Sequence, residues 1–184
     1  MFTPTLTSPR ASRLSDTDRI RRIIGIDPGL AASGWGIVEY EPQRIRYIAH
    51  GCIETEAGCI HAERLFFIYT RINEILEAYR PSESAVEILY FGKNVSSAVA
   101  VAEARGVLCM ALARRGLPVY EYSPNTIKQA VLGRGAADKR QIQEMIRMIL
   151  GLDAVPRPDH AADALGAAVC CAHSARSLQA GGGL

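Results

Sequence analysis

The apolar run Ile23-Ile24-Gly25-Ile26 ends on Asp27 and is followed at once by Pro28-Gly29, so a carboxylate stands where a buried strand breaks. A charge in such a place must be paired, bind a metal or shift its pKa. Glu87 interrupts a second apolar run, Ala85-Val86-Glu87-Ile88-Leu89, and Asp163 lies among Ala161, Ala162, Ala164, Leu165, Ala167, Ala168 and Val169. Each has an ordinary reading to set beside a functional one. Asp27 suits a turn before Pro-Gly, and Asp163 suits a solvated helix face. Glu87 has no turn or cap to serve, and Glu is rarely buried without a partner. Three carboxylates in apolar settings make a metal site the economical account.

The chain has 184 residues and is 48% hydrophobic, enough for one well-filled domain. That domain is expected over residues 21–174. Residues 1–20, rich in Thr, Ser, Pro and Arg, read as a disordered N-terminal extension, and 175–184 as a flexible C-terminal tail. Asp16 and Asp18 weigh against reading the extension as a transit peptide. A formal net charge of +2 is far from that of a polycation, so nucleic-acid binding has to be argued from local patches. Five cysteines without Cys-x-x-Cys spacing point to a reducing compartment, and the cytoplasm fits best. His50-x-Cys52 and Cys59-x-His61 do not match structural zinc spacings and read as a strand followed by a loop. No segment approaches the ~20 apolar residues of a membrane span, so no membrane is expected among the partners.

Three strands are expected first, at 22–27, 34–40 and 44–55, as an antiparallel meander. An amphipathic helix follows, with Leu65, Ile68, Ile72, Ile75, Leu76 and Tyr79 at helical spacing. A fourth strand carries Glu87. Asn94 is placed to cap a long helix, 95–115, with a stripe of small residues at Ala98, Ala102, Gly106, Cys109 and Ala113 that suits close helix contact. A fifth strand is expected at 118–121, then a helix opened by Ser123-Pro124, another over 138–150, and a last one over 160–173. Crossover helices should lay strands four and five parallel to the first. The fold class is therefore α/β, an RNase H-like mixed five-stranded sheet of order 3-2-1-4-5 flanked by helices. Asp27 and Glu87 then share the carboxyl edge of neighbouring parallel strands, and His160 and Asp163 lie on one face of the last helix.

Five motifs in this order resemble those of the RuvC Holliday-junction resolvases: Gly25-Ile26-Asp27-Pro28-Gly29, Ala85-Val86-Glu87 followed by Lys93-Asn94, Ile127-Lys128-Gln129, Ala137-Asp138-Lys139, and Ala161-Ala162-Asp163-Ala164-Leu165. The resemblance covers most of 23–173. It implies a homodimeric, metal-dependent endonuclease that nicks two strands of a four-way DNA junction symmetrically, leaving 5′-phosphate and 3′-hydroxyl ends. It also implies the branch-migration proteins of the Ruv system as partners. Three of the family's four catalytic positions carry over as Asp27, Glu87 and Asp163. Where many members have Asp at the fourth, this chain has His160. Asp159 is its neighbour and reads as an N-cap for Ala161 or Ala162. A second departure is Ile88, which often is Glu or Gln in the family. Two Mg²⁺ or Mn²⁺ ions about 4 Å apart would suit this set, with Asp27 bridging, Glu87 on one ion, and Asp163 and His160 on the other side.

Of 21 basic residues only Lys93, Lys128 and Lys139 are lysines, and all three fall in those motifs. A compact ammonium at these places points to phosphate contact, with Arg134 and Arg140 extending the patch. Tyr90 matches a family aromatic that stacks on junction bases. Two other functions remain open at this point. One is a junction-binding protein without cleavage, which the His160 departure allows. The other is a nucleotide-binding fragment of the actin and Hsp70 type, which one domain is too short to complete.

Overall fold

The computed structural model of the protein describes residues 20–42, 44–88, 95–133 and 138–180, with 95–97 and 175–180 described by backbone alone. Strands β1 (Arg21–Asp27), β2 (Ala32–Glu41) and β3 (Arg44–Glu54) form the expected antiparallel meander. Helix α1 (His61–Tyr79) leads to β4 (Glu83–Glu87), and α2 (Val95–Arg114) leads to β5 (Val119–Tyr122). β4 runs parallel to β1 and β5 parallel to β4, giving one sheet of order β3-β2-β1-β4-β5. Helices α3 (Pro124–Leu132), α4 (Lys139–Leu150) and α5 (Asp159–Ala180) complete the chain. α5 continues past the expected end at His173, so the proposed tail begins as helix. Asn94 and, apart from Ile20, the proposed N-terminal extension lie outside the described residues.

Local chemistry accounts for the helix ends. Ser123 Oγ accepts from the Thr126 backbone N–H, with Pro124 at the first helical position. Asp138 and Gln141 form a reciprocal capping box at the start of α4. Gly133 and Gly151, with φ of 71° and 64°, turn the chain out of α3 and α4.

β1 is a near-continuous apolar run because both faces of the sheet are covered. Ile23 packs with Val38 and Ala85 beneath α3, α4 and α5, whereas Ile24 and Ile26 pack with Ile37, Ile53 and Val86 against α1 and α2. Among the described side chains of α2 the fully buried positions are Ala104, Leu108, Ala111 and Leu112. The stripe from Ala98 to Ala113 runs along the half-buried and exposed flank instead, and a Cβ at Gly106 would meet nothing within 4 Å.

On the opposite face α5 rests on glycine. A Cβ at Gly25 would stand 1.9 Å from the Ala164 carbonyl oxygen, and one at Gly34 would stand 1.9 Å from that of His160. A Cβ at Gly36 would meet the Leu165 side chain at 2.7 Å, and the helix answers with Ala161, Ala164 and Ala168, all fully buried. No helix among the described residues is long and apolar enough to cross a membrane.

Gly25→Ala should cost about 3 kcal/mol or more, because its methyl meets helix backbone rather than a movable side chain. Gly106→Ala, in open space within the helix of a single chain, should stabilise the monomer by about 0.5–1 kcal/mol. Chemical denaturation of the two variants checks both signs.

Candidate active site

Side chains alternate along a strand, and Ile23 and Ala85 face α5, so Asp27 and Glu87 face it too. Ile26 and Val86 are partners in the parallel ladder, so the two carboxylates end neighbouring strands side by side. The first turn of α5 is held over this edge by the contact at Gly34. It brings His160 Nδ1 to 2.6 Å from Asp27 Oδ2, within hydrogen-bond distance. Asp163, three residues further along α5, shares with Glu87 and Lys128 a cleft of about 50 Å³ whose apolar lining includes Ile127, Ile142 and Ile146.

The carboxylates feel one another. Burial raises the Asp27 pKa, opposed by the hydrogen bond and charge of His160, and Asp163 raises it further. Glu87 is pushed up to about 7 by burial and then by the charges of Asp27 and Asp163, with Lys139 and Lys128 pulling the other way. The cluster is short of positive charge. Hard oxygen donors in that condition fit a divalent cation of the Mg²⁺ or Mn²⁺ kind. Among the described residues no three His, Cys, Asp or Glu side chains yet meet around one point. Asp27 is engaged by His160, and Asp163 by Lys139 at 3.3 Å, so a cation held here would compete with these partners.

Asp159 is not the cap expected of it. It is the first residue of α5, and the backbone N–H groups of Ala161 and Ala162 donate to the Pro158 carbonyl. Its own carboxylate is taken by Gln143, Arg157 and Lys139. Cations and a buried amide arriving from outside α5 win over the local helix terminus. Lys139 is held protonated beyond the usual lysine range: desolvation opposes this, but Asp163 and Asp159 outweigh it. Arg140 is exposed beside Lys139, at the same helix start. Tyr90, Lys93 and Arg134 lie outside the described residues.

Sequence reasoning missed two neighbours of the site. Cys52 pairs with Gly34 in the sheet and thus shares the face of Asp27, and its thiol is pushed up to about 11 by burial, Glu54 and Asp27. Gln143 is a buried amide in α4 beside Ile142 and one turn from Ile146, the one polar break in that face that could have drawn attention. The His-Cys pairs noted above part company: His61 Nε2 is 2.6 Å from Glu103, and Cys59 is exposed.

Residues 23–171 match the family model described as crossover junction endodeoxyribonuclease RuvC. The protein of that name from Chloroflexus aurantiacus is 54% identical over 158 residues, which is 86% of this chain and 96% of the relative. The Treponema denticola protein is 52% identical over 147 residues, covering 80% and 83%. Among solved structures, Thermus thermophilus RuvC in complex with Holliday junction substrate superposes with a TM-score of 0.81 at 37% identity, over 85% of this chain and 96% of that one. The yeast mitochondrial Holliday junction resolvase shares the fold at a TM-score of 0.64 and 14% identity, over 90% and 85%.

The Glu87 shift carries a stability consequence. A carboxyl raised to about 7 in the folded chain binds a proton that the unfolded chain has already lost above the ordinary value of 4.5. Stability from this group is therefore full below that value and is lost as pH rises through about 7. Glu87→Gln should leave metal-free stability unchanged near pH 4.5 and raise it at pH 8 by on the order of 2–3 kcal/mol. Urea denaturation in a chelator at both pH values checks this.

Proposed function

The chain belongs to the RuvC family of crossover junction endodeoxyribonucleases, and from that premise we propose that it resolves four-way (Holliday) DNA junctions by divalent-metal-dependent, symmetric nicking, leaving 5′-phosphate and 3′-hydroxyl ends. The observation that carries the reading is the convergence of Asp27 and Glu87, at adjacent strand ends, with His160 and Asp163 on the overlying turn of α5.

Asp27, central to the cluster and hydrogen-bonded to His160, is assigned as the bridging ligand, with Glu87 on one side and Asp163 on the other. Two Mg²⁺ or Mn²⁺ ions bound there would supply an activated water for in-line attack on phosphorus and stabilise the departing 3′-oxygen. His160 keeps its second ring nitrogen free while Nδ1 engages Asp27, which suits a ligand or a proton carrier. Asp159, tied to Lys139 and Arg157, is the less apt fourth group. Lys128 on the cleft wall and Lys139 and Arg140 at its rim are assigned to junction phosphates. Tyr90 is assigned to base stacking, and Lys93 and Arg134 to further phosphate contacts.

Symmetric nicking needs two such sites, so the working form is taken to be a homodimer related by a twofold axis. The exposed flank of α2, with Val99, Gly106 and Met110, supports that helix as the interface. Ruv branch-migration proteins are the further partners proposed, and a cytoplasmic location accords with five free thiols.

Incubation with a four-way junction and Mg²⁺ or Mn²⁺ tests the whole reading, since a protein that only binds junctions yields no paired nicks. Asp27→Asn and Glu87→Gln should each lower cleavage by more than about a hundredfold while junction binding, measured by gel shift, is retained. Imidazole coordinates only when deprotonated, so His160→Asp should carry cleavage to lower pH and abolish any preference for Mn²⁺, as read from pH-rate profiles in each metal. Ala102→Arg on the half-buried flank of α2 should convert the dimer to monomers in sedimentation analysis and remove paired nicking.

A further inference from the structure

Lys139 stands between two carboxylates of α5, with its ammonium 3.2 Å from Asp159 Oδ2 and 3.3 Å from Asp163 Oδ2. The two aspartates are four residues apart and lie on one helix face. Their surroundings differ. Asp163 lines the cleft with Glu87, whereas Asp159 sits at the rim with its side chain 43% exposed. An exposed carboxylate is normally free to swing, but this one is fixed. Its Oδ1 accepts from the Gln143 amide at 3.1 Å and from the Arg157 guanidinium at 2.8 Å, which leaves Oδ2 for Lys139. Gln143 is itself buried and sits one turn beyond Lys139 on α4, so the anchor and the lysine belong to one rigid element. The Asp159 carboxylate is held below its usual range, first by the hydrogen bond from Lys139 and then by that from Gln143.

A divalent cation on Asp163 would compete with Lys139, which now engages Oδ2 of that carboxylate. We propose that Asp159 is a positioning residue that retains the Lys139 ammonium at the rim of the acidic cluster when Asp163 turns to a cation. The lysine then neutralises the cluster before metal entry and stays within the site afterwards, available to a phosphate. Without Asp159, leaving Asp163 would return the ammonium to solvent with no second partner. The inference rests on the metal reading given above.

The test uses Asp159→Asn, which removes the charge yet keeps an oxygen for Gln143 to donate to. The chain has only three lysines, so the side-chain ammonium resonances of the metal-free protein can be assigned singly by NMR. The Lys139 resonance should shift and exchange faster with water in the variant. Mn²⁺ affinity, measured by calorimetry without DNA, should weaken about two- to fivefold, the scale of a partly exposed ion pair. In a Lys139→Gln background, Asp159→Asn should change it no further, because the effect passes through the lysine. An unchanged Lys139 resonance, or equal weakening in both backgrounds, overturns the proposal. A wild type that takes up no Mn²⁺ overturns the metal reading and the proposal with it, and the wild-type titration alone identifies that failure.

Discussion

Helix α5 lies against β1 and β2 at a separation set by backbone, since Gly25 and Gly34 present no side chain where the helix carbonyls of Ala164 and His160 pass. Glycine permits this approach and alanine on the helix face completes it. The consequence is geometric. His160 and Asp163 extend from the first turn of a helix that cannot rise, and Asp27 and Glu87 extend from strands that cannot twist away. A site built on such elements is held more closely than one carried on loops. Any residue larger than glycine at these two positions would lift α5 and part His160 from Asp27, so packing and chemistry share one constraint.

Much of this was legible in the chain. Apolar runs located the strands, and the sheet order followed from where crossover helices stood between them. Asp27 and Glu87 stood out because charge interrupts those runs, and a regular period of two places both on one face. What sequence could not supply was the meeting of elements distant along the chain. Asp159 illustrates this: its position at a helix start suggests a cap, but Lys139 and Gln143 arrive from α4 and take both of its oxygens. The small-residue stripe of α2 likewise had two possible destinations, inside or outside. The larger Leu108 and Leu112 took the core, as burial of apolar area favours.

The two ends of the same strands treat charge in opposite ways. Where β1 and β4 begin, one Arg21 nitrogen donates to both oxygens of Glu83 at 3.0 and 2.9 Å, and two Arg22 nitrogens donate to one oxygen of Glu39 in β2. Each pair holds through two charge-assisted hydrogen bonds and is not readily exchanged for another ligand. Where β1 and β4 end, the groups among the described residues that offset the charge of Asp27 and Glu87 are of another kind. Their cationic influences are one imidazole and two lysines.

That asymmetry bears on function. An ammonium is a point charge with rotatable donors, so it can leave a carboxylate without breaking a fixed fork. An imidazole offers a second nitrogen when the first is engaged. Both partners at the carboxyl end are thus exchangeable, whereas those at the opposite end are locked. The raised pKa of Glu87 comes first from burial and then from the charges of Asp27 and Asp163, which the two lysines only partly offset, so the carboxyl holds its proton near neutral pH. An acidic cluster kept short of positive charge is less stable by itself and more receptive to a divalent cation, so the local cost in folding energy and the capacity for metal binding arise from the same missing charge.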